Sequence, residues 1–283
     1  MNYTHIYITS FLAFLLLLLQ AGGALRGQSY EELVRKSYDY LDRDDLPAAE
    51  VALKEAMRME PANPNNYALL SNLGTIQRRQ GKYEDAIASY SISLGREPKN
   101  VMILGNRASL YLEIGDAERA LADYNLVLVE DSINQDALYN RGLIYLQKKN
   151  FLWAEQDFDR LLQINEYTFY GRLGHAVLEK ARGNYDESER IYSYLIDKMP
   201  RELQLYRGRA DLYFLMGKNA RAMADINRVF ADSSPDADAY ILRGKIKLAQ
   251  YEKEAAVRDF LKAKELGYDA VPADELLRLA RYK

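Results

Sequence analysis

The sequence predicts a single repeat solenoid, and three observations predict it. The segments GKYEDAIASY (81–90), GDAERALADY (115–124), GNYDESERIY (183–192) and GKNARAMADI (217–226) share one pattern: Gly, a small residue five positions later, then usually an aromatic four further on. Alignment on that pattern gives seven units of 34 residues, 30–63, 67–100, 101–134, 135–168, 169–202, 203–236 and 237–270, with only Pro64-Asn65-Asn66 inserted. No low-complexity linker separates the units. A fixed period of this length marks a stacked architecture, in which each unit covers the apolar face of its neighbour.

The chain opens with a different kind of segment. No Asp, Glu, Lys or Arg precedes Arg26, and Phe11–Leu19 reads FLAFLLLLL, the length of a signal-peptide apolar core. Gly22 and Ala24 supply small residues at −3 and −1 for cleavage after Ala24, and Leu25-Arg26-Gly27 before Gln28 offers a second site. Residues 1–27 therefore read as a signal peptide, although the start lacks the usual Lys or Arg. The alternative is an uncleaved anchor over residues 6–25, which is about the length that spans a bilayer. The sole N-x-S/T sequon, at Asn2, lies inside this segment, which favours a bacterial envelope, periplasmic or secreted, over a eukaryotic secretory route.

From Tyr30 onward the units carry a strict size pattern. Position 8 reads Ser37, Gly74, Ala108, Gly142, Ala176, Ala210, Gly244; position 20 reads Ala49, Ala86, Ala120, Ala154, Ser188, Ala222, Ala256. All fourteen are Gly, Ala or Ser. Aromatics flank them: Tyr40, Tyr111, Tyr145 and Tyr213 at position 11, and Tyr90, Tyr124, Phe158, Tyr192 and Phe260 at position 24. This period and these residues resemble the tetratricopeptide repeat (TPR) family. The resemblance implies an all-α protein, a right-handed α-solenoid (TPR superhelix) of antiparallel helix pairs A and B over residues 28–270. Small residues then mark where A crosses B, and core packing, with hydroxyls reaching the rim, accounts for much of the tyrosine count of 23. Position 32, often Pro in the family, is Pro61, Pro98 and Pro200 but Ser132, Glu166, Ser234 and Tyr268 elsewhere, so a softer B-to-A turn is expected there. Residues 271–283 place Leu276, Leu277 and Ala280 on one side, as a capping helix for the last apolar face.

A row of arginines at position 7 could suggest an anion site, but its partners argue otherwise. Arg107, Arg141, Arg209 and Arg243 occur in the same four units as Asp123, Asp157, Asp225 and Asp259 at position 23. The units with Lys36, Leu73 and His175 at position 7 have Ala52, Ser89 and Ile191 at position 23. Four ion pairs within units are expected, because a buried charge without its partner is costly. His175 reads as a lone packed histidine and Trp153 as core or edge packing.

Composition bounds the function. With 38 Lys and Arg against 41 Asp and Glu, a net charge of -3, the chain lacks the basic excess of a nucleic-acid binder. Without cysteine, and with only His5 and His175, it has no thiol nucleophile, zinc-thiolate site or histidine triad. No catalytic residue, metal or cofactor is expected. The resemblance implies binding on helix A, at positions 2, 5, 6, 9, 12 and 13. Position 6 reads Asn72, Asn106 and Asn140, carboxamides suited to the peptide groups of an extended chain, then Gly174, Gly208 and Leu242. Ser71, Thr75, Ser109, Tyr139 and Leu143 give that stretch a mostly uncharged lining, whereas Tyr170, Arg207, Asp211 and Lys245 mark the C-terminal half. The family's clamp for chaperone C-terminal carboxylates needs cations where Ser71, Asp136 and Asn140 stand, so such peptides are not expected as ligands. The expectation is an exported scaffold that holds a protein or peptide segment through Asn72, Asn106, Asn140, Tyr139, Tyr170, Arg207 and Asp211. The alternative is a membrane-anchored assembly factor that recruits envelope machinery.

Overall fold

The computed structural model describes residues 29–232 and 235–282; the signal or anchor segment and Ser234 lie outside the described residues. These residues form fifteen helices of 13 or 14 residues and no strand. In chain order they are α1 (Tyr30–Asp42), α2 (Leu46–Met59), α3 (Asn66–Arg79), α4 (Tyr83–Arg96), α5 (Val101–Glu113), α6 (Ala117–Glu130), α7 (Gln135–Gln147) and α8 (Phe151–Ile164). Then follow α9 (Phe169–Arg182), α10 (Tyr185–Lys198), α11 (Leu203–Leu215), α12 (Asn219–Asp232), α13 (Ala237–Ala249), α14 (Lys253–Glu265) and α15 (Ala270–Tyr282). Each unit is thus one helix pair. Several starts are capped as their sequence suggests, with Ser29, Asp45, Asn100, Asn134 and Asp236 each accepting a backbone N–H three residues on.

All seven A-to-B turns use one device. Position 15 has a left-handed backbone throughout, at Asp44, Gly81, Gly115, Lys149, Gly183, Gly217 and Tyr251. The next amide then reaches back to the carbonyl five residues earlier, as in Asp116 to Tyr111 at 2.7 Å and Asn150 to Tyr145 at 2.8 Å. That bond satisfies a carbonyl the helix end would leave open. Glycine enters this conformation freely; Asp44, Lys149 and Tyr251 do so under steric strain.

The small residues at positions 8 and 20 are buried in every unit. A Cβ on Gly142 would come within 2.5 Å of the Phe158 ring, and one on Gly244 within 2.4 Å of Phe260. Ser188 Oγ donates to the Ala176 carbonyl at 2.7 Å, joining positions 20 and 8 directly. The four Arg–Asp pairs form within their units, each through two hydrogen bonds. Arg107 reaches Asp123 at 2.8 and 2.8 Å, Arg141 reaches Asp157 at 2.9 and 2.6 Å, Arg209 reaches Asp225 at 2.7 and 2.9 Å, and Arg243 reaches Asp259 at 2.9 and 2.6 Å. Arg107 and Arg209 also donate back to Ser91 and Ser193, at position 25 of the preceding unit. His175, without an aspartate at position 23, places Nε2 3.0 Å from Asp159, again at position 25 of the preceding unit. Trp153 packs at an edge, half exposed, with its ring 6.1 Å from Tyr145.

The helices group into two compact bodies, one ending at Glu130 and one starting at Asp131. In the first, Leu33, Leu53, Leu69, Leu73 and Ile76 join units one and two in one core cluster. Unit two lacks the Arg–Asp pair; there Ser89 Oγ donates to Gln77 Oε1 at 2.7 Å. Buried Glu50 beside it accepts from Lys54 at 2.6 Å, Lys82 at 2.7 Å, Gln80 at 3.0 Å and Gln77 at 3.3 Å. Burial pushes the Glu50 carboxyl up, but these bonds outweigh it and hold the group at about 2. In the second body α15 closes the last unit, with Ala273, Leu277 and Ala280 buried and Leu276 against the cluster of Ile241 and Phe260.

Candidate functional site

The second body contains a cavity of about 390 Å³. Helical periodicity builds its walls. Gln204, Arg207, Gly208 and Asp211 stand on one face of α11, at i, i+3, i+4 and i+7. Asp238, Ile241, Leu242 and Lys245 repeat that spacing on α13, and Leu173, Val177 and Lys180 line it from α9. Tyr139 of α7, Tyr192 of α10 and Tyr268 beyond α14 complete it. Except for Tyr192 and Tyr268, these are helix-A residues. The size falls within the range of sites that hold a small ligand or one or two side chains.

Three of the lining charges, Lys180, Asp211 and Arg207, are held in ion pairs. Lys180 Nζ bonds Asp211 Oδ2 at 2.6 Å. Arg207 pairs with Asp236, which also caps α13 through the Ala239 amide at 2.9 Å. Burial raises the Asp236 carboxyl, but the Ala239 amide and the Arg207 guanidinium together hold it below its ordinary range. The Tyr139 and Tyr170 rings pack at a tilt of 41° with centroids 4.8 Å apart. Burial, helped by Tyr170, pushes the Tyr139 phenol up to about 12. Burial raises Tyr192 too, with smaller contributions from Tyr139 and Asp211.

The sequence-predicted residues thus divide. Tyr139, Arg207 and Asp211 come together on the cavity, and Tyr170 joins them through Tyr139. Asn72 and Asn106 lie in the first body and Asn140 in the second. Asn72 Nδ2 donates to the Tyr38 hydroxyl at 3.1 Å, whereas Asn140 Nδ2 folds back onto the Asp136 carbonyl of its own helix at 2.9 Å. The helix-A face of the first body also differs from the uncharged lining expected: Arg78 pairs with Glu113 at 2.6 Å and donates to Ser109 at 3.1 Å. Sequence reasoning missed Lys180 and Gln204 and read Tyr192 as core packing with its hydroxyl toward the rim. Position 9 held a usable signal, since Thr75 in unit two becomes Val177 in unit five. Among the described residues no group of three His, Cys, Asp or Glu could hold a metal ion, and no helix is long and apolar enough to cross a membrane.

The tetratricopeptide repeat family model matches residues 34–101, 72–136, 106–167 and 173–238. The chain belongs to the tetratricopeptide repeat family. Its fold is the all-α solenoid of helix pairs, and the repeats mark this TPR chain as a protein-interaction scaffold. A solved tetratricopeptide repeat protein from Parabacteroides merdae is 63% identical, with a TM-score of 0.84 over 90% of this chain and 100% of that one. Among curated relatives, human tetratricopeptide repeat protein 6 is 30% identical over 38% of this chain and 20% of its own length. RNA polymerase II-associated protein 3 of Xenopus tropicalis is 34% identical over 44% of this chain and 22% of its own. The TPR chain spans about a fifth of the length of the curated relatives it matches.

Proposed function

We propose that this chain is an exported, non-catalytic TPR scaffold that binds a protein or peptide segment across the helix-A cavity of its second body. The observation that carries the reading is the convergence of Tyr139, Arg207 and Asp211, from α7 and α11, on one cavity whose lining mixes charged and aliphatic side chains. Polar groups that converge on one concavity, with aliphatic side chains beside them, are what a binding site needs to orient a ligand. The family supports protein binding, and the apolar run FLAFLLLLL supports export.

Affinity capture tests the binding site. The full-length chain, expressed in a bacterial host with a C-terminal tag, is compared with R207A/D211A and with N72A/N106A/N140A, all equally helical. A partner retained by the wild type and lost by R207A/D211A supports the cavity. Equal retention by that variant overturns it, and loss only in the triple variant moves the site to the asparagines. The mass of the purified chain tests export: a start at Leu25 or Gln28 supports a cleaved signal, and an intact Met1 in the membrane fraction overturns it in favour of an anchor.

A further inference from the structure

Tyr90 and Tyr192 occupy the same position of the repeat but spend their hydroxyls differently. In unit two the Tyr90 hydroxyl lies 2.9 Å from Thr75 Oγ1, at position 9 of its own unit. In unit five position 9 is Val177, which offers no hydrogen bond, and position 6 of the next unit is Gly208. A Cβ on Gly208 would lie 2.7 Å from the Tyr192 hydroxyl oxygen, so that oxygen sits directly behind a glycine of the cavity wall. Tyr192 is only 2% exposed, and its hydroxyl has no hydrogen-bond partner among the described residues. The Tyr139 hydroxyl, on the same cavity, has none either. Neither hydroxyl oxygen is sealed from solvent, so each can donate to a ligand atom in the cavity in place of water.

Most of the unspent groups are donors. Burial keeps both phenols protonated well above neutral pH, so they remain donors. Asp211 and Arg207 are already paired, whereas Lys245 lines the cavity with no ion-pair partner among the described residues. Asp238 stands two turns away from Lys245 on α13 as the unpaired acid of the lining. Two phenols and an ammonium thus face one carboxylate. The second body is also the less repulsive to an acid: residues 131–283 hold 25 Lys and Arg against 24 Asp and Glu, and residues 29–130 hold 12 against 17.

Resting on the peptide-binding reading above, we infer that this cavity takes the carboxylate side chain of a Glu or Asp inside the partner segment. Its oxygens accept from the Tyr192 and Tyr139 hydroxyls, its methylenes lie on Leu173 and Val177, and Lys245 supplies the opposite charge.

The probes are heptapeptide pools with acetylated and amidated ends, mixed at six positions and fixed at the centre as Glu, Gln, Lys or Ala. Each is titrated against the full-length chain by fluorescence polarisation. The Glu pool is expected to bind about tenfold more tightly than the Gln pool, the usual margin of a charge-assisted contact. Y192F is expected to weaken the Glu pool about fivefold without lowering thermal stability, since the hydroxyl has no partner in the fold. Y90F is expected to lower stability and leave binding unchanged. Equal binding of Glu and Gln pools, a Glu preference untouched by Y192F, or a preference only for peptides with a free C-terminus overturns the inference. If another pool binds best and R207A/D211A abolishes its binding, the inference falls and the peptide-binding reading stands. No binding by any pool overturns both.

Discussion

Unit two, in the first body, and unit five, in the second, are built to one plan and present different surfaces. In unit two, Gly74 takes the Tyr90 ring, Thr75 takes its hydroxyl, and a buried network around Gln77 and Glu50 replaces the Arg–Asp pair. In unit five, position 8 is Ala176, and the Tyr192 ring lies instead against Gly208 of the following unit, beside an open cavity. The lesson concerns where a repeat places its smallest residue. Glycine at position 8 receives the ring within its own helix pair, glycine at position 6 of the next unit receives it across the unit boundary, and Phe158 of unit four lies against both kinds, Gly142 and Gly174.

The comparison implies a shared frame, which the largest expected effect tests. D123A in the first body and D157A in the second each strand a mostly buried guanidinium, and each should cost about 3 kcal/mol. Urea denaturation with local amide exchange should show equal losses; a marked inequality would break the claim that the frame is common. G174A comes next. Its Cβ would meet Phe158 at 2.3 Å, and overpacking of this kind costs about 2 kcal/mol, read as lost protection in α8 and α9.

Y90F should cost about 1 kcal/mol through the lost Thr75 bond, with Y192F near zero, and calorimetry on the two variants separates them. Acid sharpens the contrast in another way. The Glu50 carboxyl titrates at about 2 in the fold against an ordinary 4.5, so its stabilisation is complete above 4.5 and is lost as pH falls toward 2. E50Q should therefore be less stable than the parent at neutral pH and should flatten exchange rates in α2 and α3 across that window. The smallest effect is a gain. Y251G relieves a left-handed tyrosine at φ 67° and should stabilise the last unit by about 0.5 kcal/mol, a rise measurable in its melting temperature.

Much of the fold was legible because the decisive contacts recur at constant offsets. Position 7 meets position 23 sixteen residues on in each of the four Arg–Asp units, so the paired variation of these residues already named the bridges. The site was legible only in part. Arg207 and Asp211 share one face of α11 by spacing alone, and Tyr139 followed from its helix-A position. The asparagines at position 6 illustrate what spacing leaves open, since Asn72 turns to Tyr38 while Asn140 turns to its own backbone.

By itself, then, the sequence determined the period, the helix pairs, the small-residue crossings and the ion pairs, since these depend on residue type at a fixed distance along the chain. Only the tertiary structure decided that Tyr192 lacks a partner, that Lys180 is spent on Asp211, and that a cavity opens among α9, α11 and α13. Those outcomes depend on how much volume neighbouring units leave around each polar atom. Packing sets that volume, and no single repeat encodes it.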